Sequence, residues 1–155
     1  MPGPNCAIQL IVTGSSNLVN VYNGSIQLTL TGSSSRLTLH NTVLTSEQIT
    51  GSSDNILNGI LNGSSMTLTG SGNQVQSFKV LHLNTLTITG STSNIILNSV
   101  TNSVMATTLT GSSDVVYIGN ATITLDLTGS SDSIYAVNTI ILSRTITGSN
   151  DHIYS

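Results

Sequence analysis

The sequence predicts an all-β fold: a β-solenoid (parallel β-helix) of about eight rungs of 18–21 residues, built mainly from two sheets. Three observations carry this reading. The first is a repeat. Thr-Gly recurs at Thr13-Gly14, Thr31-Gly32, Thr50-Gly51, Thr69-Gly70, Thr89-Gly90, Thr110-Gly111, Thr128-Gly129 and Thr147-Gly148, and the steps between glycines are 18, 19, 19, 20, 21, 18 and 19 residues. A fixed period near 20 residues marks a solenoid.

The second observation is alternation with a period of two, which means strands. Two residues before each glycine stand Val12, Leu30, Ile49, Leu68, Ile88, Leu109, Leu127 and Ile146, and five residues after it Val19, Leu37, Ile56, Val75, Ile95, Val116, Ile134 and Ile153. Successive strand side chains face opposite ways, so both columns point inward and the Thr before each glycine points out. Each repeat is then two strands of five to seven residues.

The third observation is turn chemistry. A glycine fixed at one place in every rung implies a backbone angle or a close approach that a β-carbon would prevent. Three residues later come Asn17, Ser35, Asp54, Asn73, Ser93, Asp114, Asp132 and Asp151, which can bond backbone groups or a stacked neighbour. The second corner is looser, as at Asn23-Gly24-Ser25 and Asn62-Gly63-Ser64. Eight rungs at about 4.8 Å make a rod roughly 40 Å long.

Length and composition fit one domain over 1–155, with 1–7 as an N-terminal arm. Charged residues make up 6% of the chain, and Arg36, Lys79 and Arg144 are its only Lys and Arg. That leaves no basic patch for a phosphate backbone, so no nucleic acid is expected as a partner. No apolar run approaches membrane-spanning length, so no membrane insertion is expected. No signal peptide is visible at the N-terminus, although an extracellular or cell-surface place suits the composition. Cys6 is the one cysteine. It cannot form an internal disulfide, which leaves an idle thiol or an intermolecular bond.

Some rungs break the pattern. Glu47, Thr107 and Arg144 fall in a column otherwise filled by Leu10, Leu28, Met66, Leu86 and Leu125, and bulges near the loose corner are expected there. Lys79 and His82 mark another irregular corner.

The G-S-S-[Asn/Asp/Ser]-x-[Val/Ile/Leu] unit resembles the G-S-N-N-x-V unit of a bacterial secreted repeat family of unknown function. It is also similar to the S-G-S-N-x-V repeats of grass ice-recrystallisation inhibitors, though the repeats here are longer and carry a second, Thr-rich strand.

Four groups of residues are candidates for function. Asp114, Asp132 and Asp151 stack on successive rungs. Like charges about 5 Å apart repel by roughly 1 kcal/mol in water, and a cation with oxygen ligands such as calcium would relieve this. The simpler alternative is solvated corner aspartates that cap backbone amides. The Thr face forms ranks of Thr29 with Thr31, Thr67 with Thr69, Thr87 with Thr89, Thr108 with Thr110, and Thr145 with Thr147. This array is similar to the ice-binding faces of insect antifreeze β-solenoids, while high β propensity alone also explains it. Tyr117, Tyr135 and Tyr154 share one outward column and suit ring stacking, a sugar or a lateral neighbour.

The fourth group lies at the ends. Divided at the glycines, the chain opens with the second strand of a rung (7–13) and closes with the first strand of one (152–154). Joined head to tail these halves make a further rung, with Cys6, Ile8, Leu10, Val12, Ile153 and Tyr154 at the joint. A heterologous interface that does not close generates a filament. A self-assembling structural fibre is therefore the leading expectation, with copies of the chain as partners. The alternatives are an ice-binding protein and a carbohydrate-binding or lyase-like β-helix acting on a glycan surface. No cofactor, metal-dependent chemistry or catalytic residue is expected, because the acids show no convergence with a base or cation of the kind hydrolysis needs.

Overall fold

The computed structural model describes residues 8–101 and 104–155, and among them it is all strand and turn, with no helix. The strands, in chain order, are β1 (Ile8–Ser15), β2 (Leu18–Ser33), β3 (Arg36–Ser52), β4 (Asn55–Asn62), β5 (Ser65–Ser71), β6 (Gln74–His82) and β7 (Thr85–Ser91). They continue as β8 (Asn94–Leu97), β9 (Val104–Ser112), β10 (Val115–Gly119), β11 (Thr122–Ser130), β12 (Ser133–Val137), β13 (Ile140–Ser149) and β14 (His152–Tyr154). Every pairing is parallel. The result is a β-solenoid of about eight turns.

One face ladders β1, the second half of β2, the second half of β3, β5, β7, β9, β11 and β13, with Gly14↔Gly32, Gly32↔Gly51 and Gly51↔Gly70 in register and onward to Gly129↔Gly148. The other face ladders the first halves of β2 and β3 with β4, β6, β8, β10, β12 and β14. Between the faces lies one continuous apolar core. Leu30, Ile49, Leu68, Ile88, Leu109 and Leu127 from the first face meet Leu37, Ile56, Val75, Ile95, Val116 and Ile134 from the second, all buried. A short third side forms at the loose corner, where Ile26, Leu44, Leu61, Val80 and Val100 stack in register, also buried.

One expectation needs correction, and two gain detail. The strands are not uniformly five to seven residues: β2 and β3 run 16 and 17 residues through the loose corner. There the corner bends so gently that the ladder survives it. The tight turn lies within the Thr-Gly-Ser-Ser stretch, at its last residue. Gly and the following Ser still pair with their neighbours, and the left-handed residue is the second after glycine: Ser16, Ser34, Ser53, Gly72, Thr92, Ser113, Ser131 and Asn150, with φ from 59° to 69°. Finally, bulges do occur beside Glu47 and Arg144, where Thr45 and Leu142 are skipped in the register. Glu47 and Thr107 nonetheless stay inside, while Arg144, on the outermost rung, is exposed. Glu47 pairs with Leu28 and Met66, and Thr107 with Leu86 and Leu125, each pointing inward and buried.

The halves of a rung expected at the termini follow from cutting the repeat at glycine. Cut at the loose corner, residues 8–22 and 139–154 are each a whole turn.

Candidate functional site: corner ladder, Thr face and rung edges

The tight corner is built by contact between glycines. A β-carbon on Gly32 would collide with the carbonyl oxygen of Gly14, and the same holds for Gly51 on Gly32, Gly70 on Gly51, Gly90 on Gly70 and Gly111 on Gly90. Gly14 is the exception, meeting only Asn17 Nδ2 at 4.0 Å, because no described rung precedes it.

Beside the glycines runs the polar ladder. The backbone N–H of Ser35 donates to Asp54 Oδ1 (2.8 Å) and that of Asp54 to Asn73 Oδ1 (3.0 Å). Farther along, Ser93 N–H donates to Asp114 Oδ1 (2.8 Å), Asp114 N–H to Asp132 Oδ1 (2.9 Å) and Asp132 N–H to Asp151 Oδ1 (3.0 Å). Each side chain thus caps the amide one rung back. These aspartates are not solvated: Asp54, Asp114 and Asp132 are fully buried, and the Oδ2 atoms of all four have no partner. Burial pushes the Asp54, Asp114 and Asp132 carboxyls above the usual range, against the amide bonds that pull them down; the charge of Asp132 adds to the rise at Asp114, and that of Asp151 to the rise at Asp132. Among the described residues no three His, Cys, Asp or Glu side chains are grouped to hold a metal ion.

Sequence reasoning missed a second polar group. Glu47 Oε2 accepts from Asn58 Nδ2 (3.2 Å), which also reaches Ser77 Oγ (3.3 Å), all inside the core. Glu47 Oε1 and Asn58 Oδ1 have no partner, and burial drives the Glu47 carboxyl up to about 8 against the bond from Asn58. The signal was present: Asn58 and Ser77 interrupt a column of Val21, Leu39, Leu97, Ile118 and Ala136, seven residues after glycine. Asn58 lies in the same turn as Glu47, across the tight corner, and Ser77 is its neighbour one rung on.

The Thr residues before the glycines form one column. Thr13, Thr31, Thr50, Thr69, Thr89, Thr110, Thr128 and Thr147 ladder in register and are exposed. Beside them Thr29, Thr67, Thr87 and Thr108 are half-buried and Thr145 exposed, with Ile11, Gln48 and Asp126 breaking the second rank.

On the opposite face Tyr117, Tyr135 and Tyr154 stack with centroids 4.5 and 4.7 Å apart and rings 9° and 10° from parallel. A second pair, Tyr22 on His40 at 4.6 Å, was not anticipated. Stacked rings turn their faces to each other and their edges outward, which leaves little for a sugar ring to lie on. A shallow hollow of about 460 Å³ beside the ladder is lined by Ile96, Tyr117, Val137 and neighbouring asparagines, and no acid lines it.

At the rung edges the inward columns open. Ile146 is 44% exposed, whereas the seven other residues of its column are buried. Arg144, Ile140 and Leu142 are exposed on the same strand, and Ile153 is half-buried beside Tyr154. At the opposite edge Ile8 is exposed, Leu10 half-buried and Val12 buried. Cys6 lies outside the described residues.

In comparison with known proteins, no family model matches the chain, and neither a curated protein nor a solved structure matches it.

Proposed function

We propose that the chain is a structural repeat protein whose copies stack head to tail into a filament. The observation that carries this is the match between the two rung edges. The β13 edge leaves Ile146 of the core column open to solvent, and the β1 edge presents Leu10 and Val12 in the register that every internal rung uses. A second copy laid on the first continues both ladders and buries that column.

The corner fits as well. Gly14 has open space where each later glycine rests on a carbonyl, so it can rest on Gly148 of the preceding copy. Asn17 Oδ1 then takes the N–H of Asp151. Asn17 Nδ2, which turns back to Thr13 O (3.4 Å) in the isolated rung, reaches the Gly148 carbonyl as Asn73 Nδ2 reaches Gly51 O (3.2 Å). The partner is a copy of the chain, and no catalysis is assigned to it.

Electron microscopy and sedimentation at neutral pH and high micromolar concentration test this. Rods many times longer than one subunit support it. A monomer throughout, with the fold intact, overturns it.

A second reading rests on the eight in-register Thr residues. Their hydroxyl and methyl groups repeat at about 4.8 Å along the rod and ranks are about 6.8 Å apart, an uncharged array suited to ordering water against ice. Thermal hysteresis that disappears in Thr87→Lys supports this reading, and hysteresis that survives the change removes the Thr face as the site.

A further inference from the structure

The corner ladder has a gap in its bonding that repeats. A β-carbon placed on Gly51 would meet the carbonyl oxygen of Gly32 and lie 3.0 Å from Asp54 Oδ2; on Gly111 it would meet Gly90 O with Asp114 Oδ2 at 3.0 Å, and on Gly129 it would meet Gly111 O with Asp132 Oδ2 at 2.9 Å. In each rung, therefore, a carboxyl oxygen and a carbonyl oxygen converge on one small space. Both are acceptors, and each of these Oδ2 atoms is buried without a partner. An orphaned buried acceptor destabilises the fold, more so when it is charged.

Asn73 shows how the ladder closes this gap. It occupies the same column, its Oδ1 takes the N–H of Asp54 as the aspartate Oδ1 atoms do, and its Nδ2 donates to Gly51 O at 3.2 Å. An aspartate can make the same pair of bonds only with a hydrogen on Oδ2.

We infer that Asp54, Asp114 and Asp132 stand in the folded solenoid as neutral acids, each donating Oδ2–H to the glycine carbonyl one rung back (Gly32, Gly90 and Gly111), so that folding takes up protons and acid tightens the rod. Oδ1 keeps its amide bond in this state, and the repulsion between stacked carboxylates disappears. Asp54 is faced by Ser35 and Asn73, Asp114 by Ser93 and Asp132, and Asp132 by Asp114 and Asp151. Arg36 and His152, the charged or titratable residues next in sequence to the ladder, are both exposed. The direction in which burial moves these three carboxyls agrees.

The sign follows. A carboxyl held above its unfolded value binds more protons in the folded state, so stability is greatest below the ordinary carboxyl range and falls as pH rises from there through the raised folded value.

The test is thermal unfolding from about pH 3 to 8 of Glu47→Gln, which removes the other raised acid, and of the same protein carrying Asp54→Asn, Asp114→Asn and Asp132→Asn. The first should lose about 5 °C or more toward neutral pH; the second should be flat and melt higher at neutral pH. A melting point that rises toward neutral pH, or a triple variant that melts lower there, overturns the inference, because the ladder then needs its charges. A rise on adding calcium that the triple variant lacks also overturns it, by placing a metal ion where the proton is assigned.

Discussion

Gly51 rests so closely on the carbonyl oxygen of Gly32 that no side chain fits between them. This contact, repeated along the rod, is why Thr-Gly recurs at every turn. It gives the first prediction. Gly90→Ala inserts a methyl into the Gly70 carbonyl and should cost about 3 kcal/mol or more, read by urea or thermal unfolding. Gly14→Ala meets no such obstacle within one copy and should cost only about 1–2 kcal/mol, from its φ of +106°. If the copies stack as proposed, however, Gly14→Ala should block the joint.

Glu47 and Asn58 pair inside the core with one unpartnered oxygen on each. Protonation turns the Glu47 carboxyl from a charged acceptor into a neutral group that can also donate. Because the folded carboxyl stands near 8 and its ordinary value is 4.5, the folded state binds the extra proton between those limits, and stability falls as pH rises from about 4.5 to about 8. Glu47→Gln, which carries a permanent donor in that place, should gain about 1–3 kcal/mol at pH near 8 and little near pH 4. An equal effect at both ends would show that the proton is not involved.

Thr107 Oγ1 is buried without a partner in a column of leucines. Thr107→Val keeps the shape, removes the orphan and should raise stability by on the order of 1 kcal/mol. A loss would mean that the hydroxyl is satisfied in solution.

Thr92 holds φ +59° at the corner position where Gly72 stands one rung earlier. A β-branched residue is strained there. Thr92→Gly should therefore stabilise by about 1 kcal/mol, where glycine in a strand normally weakens it.

Much of this architecture could be read from the sequence because each rung sees the same neighbours. Val12, Leu30 and Ile49 are one column, and their phase relative to glycine fixes which side is buried. The polar residues inside were harder to place. Glu47 breaks the pattern of its own column, and bulging it outward satisfies local expectation. Only the facing column, with Asn58 and Ser77 at matching heights, provides a reason for it to stay in. The burial of Asp114 and Asp132 was also hidden, since a ladder of acids at a turn suggests solvent until the glycine contact closes over it. The Tyr22–His40 stack depends on the long β2 and β3, whose passage through the loose corner has no clear mark in sequence.

The most direct test of head-to-tail stacking is a disulfide across the joint. Thr13 and Thr147 are exposed members of one column, seven rung steps and about 34 Å apart within a copy. Across a joint they become neighbours at about 4.8 Å, within reach of a disulfide. Thr13→Cys with Thr147→Cys, in a Cys6→Ser background, should give a ladder of covalent oligomers on mild oxidation, while Thr13→Cys with Thr69→Cys should not. Free thiols and a monomer band from the first pair, under conditions that leave the fold intact, would contradict the account.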